Sequence, residues 1–231
     1  MISVVIPTLD EAKILAFLLD RLTREPASHE IIVVDGGSRD GTIAIAADAG
    51  ARVMQMPPGR GRQLAAGARS ATGDILFFLH ADSKFPQGGL AEIARAMAET
   101  RVVGGNFRLV FDGNDGFSRW LNGFYATIRK RGFYYGDSGV FVRRSVYDSL
   151  GGIRPIALME DYDFVRRMES TGATVCIEEP PLVTSARRFE GRRPLAIVSG
   201  WLVIHALFHL GVSPEWLAKL YDSPRRRTRH A

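Results

Sequence analysis

Cysteine is almost absent from this 231-residue chain, in which Cys176 is the single example. One cysteine excludes an intramolecular disulfide and a cysteine-based metal cluster, and it favours a reducing compartment. An apolar run begins at Ile2 without a preceding basic segment and long apolar core, so we expect no secretory signal. These absences predict a cytoplasmic protein.

Signatures of nucleic-acid binding are also absent. The net charge is +5, but four arginines lie in the acid-free tail 223–231, so the rest of the chain is nearly neutral. We find no zinc-finger spacing and no aromatic-basic RNA-binding pattern, and therefore expect no nucleic-acid partner. A basic tail of this kind is either a solvated terminus or a contact for anionic lipid headgroups.

Two familiar phosphate-binding motifs are missing as well. There is no Gly-x-Gly-x-x-Gly after the first apolar run and no Walker-type Gly-Lys-Ser/Thr. Instead, residues 57–63 predict a flexible loop with two basic residues, followed by a helix over 64–70. Arg60 or Arg62 could hold a diphosphate with the help of the helix N-terminus, and an exposed loop is the equal alternative.

Short apolar runs alternate with helical patterns along the first hundred residues. Runs at 2–6, 30–34 and 75–79 are typical of strands buried on both faces of a parallel sheet. The carboxyl ends of such strands meet at one sheet edge, where ligands bind. Polar residues follow these ends: Thr8, Asp35 and Asp82. Each could instead serve only to cap a turn or helix.

Two acidic clusters follow in the second half. Residues 134–139 contain Asp137, and residues 158–163 contain Glu160 and Asp161 at the start of a predicted helix. Acidic residues are common at helix N-termini for stability alone. If this turn faces the ligand crevice, one carboxylate can act as a general base.

The C-terminal region is apolar over residues 195–212, near the lower length limit for a membrane span, about 17 residues. We expect a helix that packs on the body or lies in a membrane interface, and a dimer interface fits equally well. His205 and His209 share a helical face, but packing is favoured over metal binding because no zinc-protease glutamate accompanies them. A short helix should follow from Ser213 to near Tyr221.

Taken together, several motifs resemble an inverting family-2 glycosyltransferase of the GT-A fold. They are Val-Val-Ile-Pro-Thr at 4–8, Val-Val-Asp-Gly-Gly-Ser-Arg-Asp-Gly-Thr at 33–42, His-Ala-Asp at 80–82, Gly-Gly-Ile at 151–153 and Glu-Asp at 160–161. Further stretches at 135–137, 141–144, 159–161, 184–188 and 210–214 resemble a small bacterial subgroup associated with arsenosugar biosynthesis.

The resemblance implies a Rossmann-like, mostly parallel α/β sheet flanked by helices, and it implies roles for individual residues. Asp161 would be the catalytic base, supported by Glu160. Asp82 would bind Mn²⁺ or Mg²⁺, whereas His80 replaces the first Asp of the family's Asp-x-Asp motif. The implied donor-binding residues are Pro7, Thr8, Glu11, Asp35, Arg60, Arg62, His80, Ala81 and Asp82. The implied acceptor-binding residues are Tyr135, Asp137 and Arg187.

The expected reaction moves a sugar from a UDP- or GDP-linked donor to a hydroxyl of a small or lipid-linked acceptor. A sugar-phosphate nucleotidyltransferase and a noncatalytic nucleotide-sugar or membrane-binding module are the alternatives. The expected organisation is a catalytic domain over 1–193, with a nucleotide half at 1–100 and an acceptor half at 101–193, then apolar helices over 194–222 and a basic tail. Peripheral contact with the inner membrane face and a homodimer are left open.

Overall fold

The structure, a computed structural model, describes residues 1–189 and 193–222. Its strands in chain order are β1 (Ile2–Thr8), β2 (His29–Asp35), β3 (Arg52–Gln55), β4 (Ile75–Phe78), β5 (Val102–Phe111), β6 (Val140–Arg143) and β7 (Ala173–Thr184). Its α-helices are α1 (Ala12–Thr23), α2 (Thr42–Asp48), α3 (Arg60–Ser70), α4 (Gly89–Met97), α5 (Gly116–Arg129), α6 (Arg144–Ser149), α7 (Glu160–Glu169), α8 (Pro194–His209) and α9 (Pro214–Asp222).

The strands form one sheet in the order β3-β2-β1-β4-β6-β5-β7. Neighbouring strands are parallel except that β6 runs antiparallel to both β4 and β5. This mixed but mostly parallel sheet, flanked by helices, confirms the predicted α/β fold class. Because β1, β2 and β4 are parallel, their carboxyl ends open at one edge.

Alternate residues of the central strands pack against two layers of helices. Val4 and Phe77 belong to an apolar cluster with α1, α2 and α4, whereas Val5 and Phe78 belong to one with α3, α6 and α7. Burial on both faces explains why these strands are continuous apolar runs rather than alternating ones. The helix α3 approaches β1 closely, since a Cβ on Gly67 would lie 2.4 Å from Cγ1 of Val5.

The C-terminal helices extend this core beyond the sheet. Ile197 of α8 packs with Leu121 and Tyr125 of α5, and Ile204 of α8 packs with Leu217 of α9. The expectation of an apolar helix that packs on the body is therefore met, although the helix ends at His209. None of the helices in the described ranges is long and apolar enough to cross a membrane.

Three local predictions were wrong. The sequence places the start of α3 near Leu64 after a basic loop, whereas the helix begins at Arg60 and includes Arg62 in its first turn. The first strand was predicted over 2–6, but β1 continues through Pro7 to Thr8. Pro7 has no N–H to donate, and none is needed there because β4 pairs with β1 only as far as Val5. The long strand β7 was missed because Pro180 and Pro181 interrupt it, and a bulge in its pairing with β5 accommodates them.

Candidate active site

Asp35 organises the loop at the carboxyl ends of β1 and β2. Its Oδ1 accepts a hydrogen bond from the Thr8 hydroxyl at 3.1 Å and another from the Ser38 hydroxyl. Its Oδ2 accepts from the N–H groups of Gly37 and Ser38, both at 2.8 Å. The side chain is fully buried, so the structure makes Asp35 a scaffold for the predicted donor loop.

These hydrogen bonds keep Asp35 ionised. Burial by itself raises the pKa of the carboxyl group, but the donors from Ser38, Gly37 and Thr8 outweigh it and lower the pKa below its usual value. The nucleoside-binding role of Asp35 stays a prediction, because its oxygens already accept four hydrogen bonds within the loop. Pro7, half-buried, lies beside it.

Gln63 joins the two strand ends to α3, a role that sequence reasoning missed. Its Nε2 donates to the carbonyl oxygens of Thr8 at 2.9 Å and Val34 at 2.7 Å, and its Oε1 accepts from the Gly59 N–H at 3.2 Å. The side chain is buried. Gln63 therefore fixes the N-terminus of α3, and with it Arg60, relative to the donor loop.

Arg60 brings the first half of the chain to the predicted catalytic pair. Its Nε donates to Oε1 of Glu160, and its Nη2 lies 3.8 Å from Oδ2 of Asp161. Glu160 is 1% exposed and Asp161 14%, whereas 40% of the Arg60 side chain remains exposed. The two predicted catalytic carboxyl groups are therefore largely buried, and the partly exposed guanidinium of Arg60 lies beside them.

The two carboxyl groups differ in their tendency to hold a proton. Burial raises the pKa of Glu160, and the nearby charge of Asp161 adds to this effect, although Arg60 opposes it. Oε2 of Glu160 has no hydrogen-bond partner among the described residues. For Asp161, burial is outweighed by Arg60 and by the N–H groups of Gly136 and Tyr162, which lower its pKa. Asp161 therefore gives up its proton more readily than Glu160.

The backbone holds the Asp161 carboxylate in a fixed orientation. Oδ2 accepts from the Gly136 N–H and Oδ1 from the Tyr162 N–H, each at 2.8 Å. A Cβ on Gly136 would lie 3.1 Å from both Oδ2 of Asp161 and Nε2 of His80. His80 and Asp161 therefore face each other across this glycine, which ties the loop after β4 to the catalytic pair.

Two histidines of α8 contact the tyrosines that lie next to the Asp161 carboxylate. Nε2 of His205 and the Tyr135 hydroxyl are 3.0 Å apart, as are Nε2 of His209 and the Tyr162 hydroxyl. The two tyrosine rings stack with centroids 6.0 Å apart. Burial and the neighbouring His209 lower the pKa of His205, which favours its neutral form. The two tyrosines adjoin the backbone groups that hold Asp161, so α8 completes the site.

Asp82 follows His80 by two residues in the loop after β4. It is exposed and lines a groove of about 980 Å³, the walls of which include Phe17 of α1 and Phe117 of α5. Asp35 and Asp161 are not part of this lining. Because His80 and Asp82 are two residues apart, one short loop connects the Asp161 cluster to the groove.

A divalent cation at Asp82 would need ligands from the bound substrate as well as from the protein. The described residues contain no group of three or more His, Cys, Asp or Glu side chains that could hold a metal ion. Magnesium sites that serve phosphate transfer commonly use one or two carboxylates together with substrate phosphates and water. An exposed Asp82 at the mouth of a groove meets that requirement.

The other predicted site residues are divided between these two regions. Tyr135 and the buried Asp137 flank Gly136, beside the catalytic pair. The Glu11 N–H donates to the Thr42 hydroxyl at 2.9 Å, next to the donor loop. Ala81 is buried between His80 and Asp82, and Arg62 is exposed on the first turn of α3. The side chain of Arg187 and the tail 223–231 lie outside the described residues.

The seven-strand, mostly parallel sheet flanked by helices matches the GT-A fold of glycosyltransferases. A family model for glycosyl transferase family 2 matches residues 3–148. The chain is also similar to a PGL/p-HBAD biosynthesis glycosyltransferase of Mycobacterium bovis, with 30% identity over an alignment of 237 positions. The alignment covers 97% of this chain and 86% of the relative. The chain therefore belongs to glycosyltransferase family 2.

Solved structures share its fold at low sequence identity. A mannosyltransferase from Pyrobaculum calidifontis, in complex with GDP-Man and Mn²⁺, has a TM-score of 0.67 at 20% identity, covering 88% of this chain and 61% of its own. Glucosyl-3-phosphoglycerate synthase from Mycobacterium tuberculosis, in complex with Mn²⁺, UDP and glucosyl-3-phosphoglycerate, has a TM-score of 0.64 at 20% identity, covering 92% and 80%. Neither these neighbours nor the mycobacterial relative points to arsenosugar biosynthesis.

Proposed function

We propose that this chain is a metal-dependent, inverting glycosyltransferase that moves a sugar from a nucleotide sugar to an acceptor hydroxyl. The observation that carries the proposal is the ionised Asp161 carboxylate. It is held by two N–H groups beside Arg60 and faces His80, two residues before Asp82. A fixed, ionised carboxylate at the ligand edge of the sheet is what a general base requires.

The proposed chemistry is a single displacement. Asp161 accepts the proton of the acceptor hydroxyl while the hydroxyl oxygen forms a bond to the anomeric carbon. The bond from that carbon to the nucleoside diphosphate oxygen breaks on the opposite face, so the configuration inverts. Glu160 keeps Arg60 in place beside the base, and no covalent enzyme intermediate is needed.

Asp82 is the proposed protein ligand for Mn²⁺ or Mg²⁺, with the donor diphosphate as the other ligand. When bound, the cation would neutralise negative charge on the departing diphosphate. The Mn²⁺ in complexes of the two fold neighbours supports this assignment. His80, in place of the family's first Asp, adjoins Asp161 and is assigned to the donor side of the base.

Donor and acceptor are proposed to approach from different sides of the loop after β4. The Pro7–Thr8 edge, Glu11 and Asp35 would hold the nucleoside, and Arg60 and Arg62 would lie near the diphosphate, with Ala81 lining its path. Tyr135, Asp137 and Arg187 would contact the acceptor. GDP-Man and UDP in the neighbouring complexes support a GDP- or UDP-linked donor.

The finer expectations remain predictions. They include the division of the catalytic domain at about residue 100, the subgroup associated with arsenosugar biosynthesis, the cytoplasmic location and a homodimer. Family membership favours glycosyl transfer over the nucleotidyltransferase and the noncatalytic module.

A donor panel tests the proposal. Purified protein is incubated with UDP- and GDP-sugars, with and without Mn²⁺, and released nucleoside diphosphate and pyrophosphate are measured separately. We expect slow, Mn²⁺-stimulated release of nucleoside diphosphate from one donor class, reduced about 100-fold or more in Asp161→Asn when an acceptor is present. Binding of every donor without turnover would contradict catalysis, and pyrophosphate release from a nucleoside triphosphate and a sugar phosphate would indicate the nucleotidyltransferase.

A further inference from the structure

The outer face of α8 is apolar and exposed. Leu195 is 85% exposed, Leu202 66% and Leu210 79%, and these residues follow one another at helical spacing. Only Ile197 and Ile204 of this helix are fully packed against the body. Monomeric proteins rarely expose a continuous apolar strip of this kind, which marks an interaction surface.

Aromatic residues widen this surface on both sides. On α5, Trp120 is 44% exposed and stacks between Phe117 and Phe124 at centroid distances of 5.7 and 5.1 Å. Phe117 contacts Phe189, which in turn contacts Trp201 of α8. On α9, Trp216 is 52% exposed. We call the exposed side chains of Trp120, Leu195, Leu202, Leu210 and Trp216 the apolar face.

The sequence around this face is uncharged over α8 and basic beyond α9. Residues 194–214 contain no Asp, Glu, Lys or Arg, α9 carries Glu215, Lys219 and Asp222, and residues 223–231 contain four arginines and no acid. The tail begins directly after α9, which packs on α8. Tryptophan at the margin of an apolar surface with adjacent arginines is the composition that anionic membrane interfaces select.

We propose that the apolar face docks on an anionic lipid bilayer, with α8 lying in the interface, and that the four arginines after α9 in the sequence strengthen binding to anionic lipid. The helix spans 16 residues and is too short to cross, so it lies on the membrane. A second copy of the chain is the alternative occupant, and the oligomeric state distinguishes it from a membrane.

Docking in this way sets the position of the active site. Pro194, at the start of α8, and Phe117, on α5, both line the groove that contains Asp82, and Phe17, on the opposite wall, is 80% exposed. The groove mouth therefore lies at the edge of the apolar face. This arrangement suits an acceptor carried by a lipid, and that consequence alone rests on the proposed glycosyl transfer.

Vesicle sedimentation of the full chain tests docking without any assay of activity. Phosphatidylcholine vesicles with and without phosphatidylglycerol are compared for the wild type and for Leu202→Asp combined with Leu210→Asp. We expect binding to the anionic vesicles, weakened at least tenfold in the double variant and at least tenfold when the four tail arginines are replaced by serine. Ala44→Asp, on exposed α2 at the other end of the sheet, is the matched control and should bind like the wild type.

Three results would overturn the proposal. The first is equal binding by the wild type and the double variant, and the second is no binding of the wild type to anionic vesicles. The third is a stable dimer in light scattering that the double variant converts to a monomer, because the face would then belong to a second copy. Circular dichroism and thermal unfolding establish that each variant is folded. Donor turnover measured in detergent-free solution separates failure of docking from failure of the proposed reaction.

Discussion

Replacement of Arg60 by methionine should move the acid limb of the pH–rate profile to higher pH. Methionine keeps much of the apolar stem of the side chain and removes the guanidinium, which lies 3.8 Å from Asp161 and donates to Glu160. Asp161 must be ionised to accept a proton, and its pKa is lowered in part by Arg60. Activity is lost as the pH falls through this pKa, so a higher pKa means loss at higher pH.

The size of the shift follows from the geometry. An opposite charge within about 4–6 Å lowers a carboxyl pKa by about one to three units. The Arg60 side chain is 40% exposed, so solvent screens its charge and the low end applies. Glu160 also takes up a proton more readily without Arg60, which removes a competing negative charge. We therefore expect the acid limb of the profile to move to higher pH by about one pH unit.

The assay is the pH dependence of kcat/KM with the donor identified by the panel. Carbon NMR titration of labelled aspartate provides a second readout that needs no substrate. Arg62→Met is the matched control, because Arg62 is exposed two residues further along α3 and should leave the limb unchanged. An unshifted limb in Arg60→Met, or an equal shift in Arg62→Met, would refute the electrostatic role of Arg60.

Three further changes test the support of the site. Gln63→Ala removes buried hydrogen bonds to two strand-end carbonyl groups and should lower the free energy of unfolding by about 2 kcal/mol in urea titration. An unchanged midpoint and slope would contradict this role of Gln63. Gly67→Ala should cost about 1–3 kcal/mol because its Cβ would overlap Val5, whereas wild-type thermal stability would disprove that close approach. His205→Phe keeps an aromatic ring but loses the bond to the Tyr135 hydroxyl, and should lower kcat about two- to tenfold with little change in KM; a reduced melting temperature with normal kcat would assign His205 to packing alone.

The sequence predicted the part of the site that depends on the sheet. The apolar runs before Thr8, Asp35 and Asp82 identify parallel strands, and parallel strands necessarily direct their carboxyl ends to one edge. The helix that begins at Glu160 was also expected from its acidic first turn. These features depend on local pattern and on chain topology, both of which are encoded over short stretches.

The contacts that complete the site are not indicated by any local pattern in the sequence. Arg60 and Glu160 are 100 residues apart, and they meet because α3 and α7 pack on the same face of the sheet. His205 contacts Tyr135 only after α8 folds back on the body. Asp35 accepts hydrogen bonds from Thr8, Gly37 and Ser38, partners that no local pattern indicates, and its nucleoside-binding role stays a prediction. Side-chain partners across such distances require the folded structure.

The proposed mechanism requires Asp82 and Asp161 to act on the same bound sugar diphosphate. The most direct test is calorimetric titration of the donor, with and without Mn²⁺, into three proteins. For the wild type and Asp161→Asn, we expect Mn²⁺ to strengthen donor binding equally, because Asp161 acts on the acceptor. For Asp82→Ala, donor binding should lose its dependence on Mn²⁺ while the fold is retained. Equal stimulation by Mn²⁺ in all three proteins would contradict the proposal that Asp82 and Asp161 serve one sugar diphosphate in separate roles.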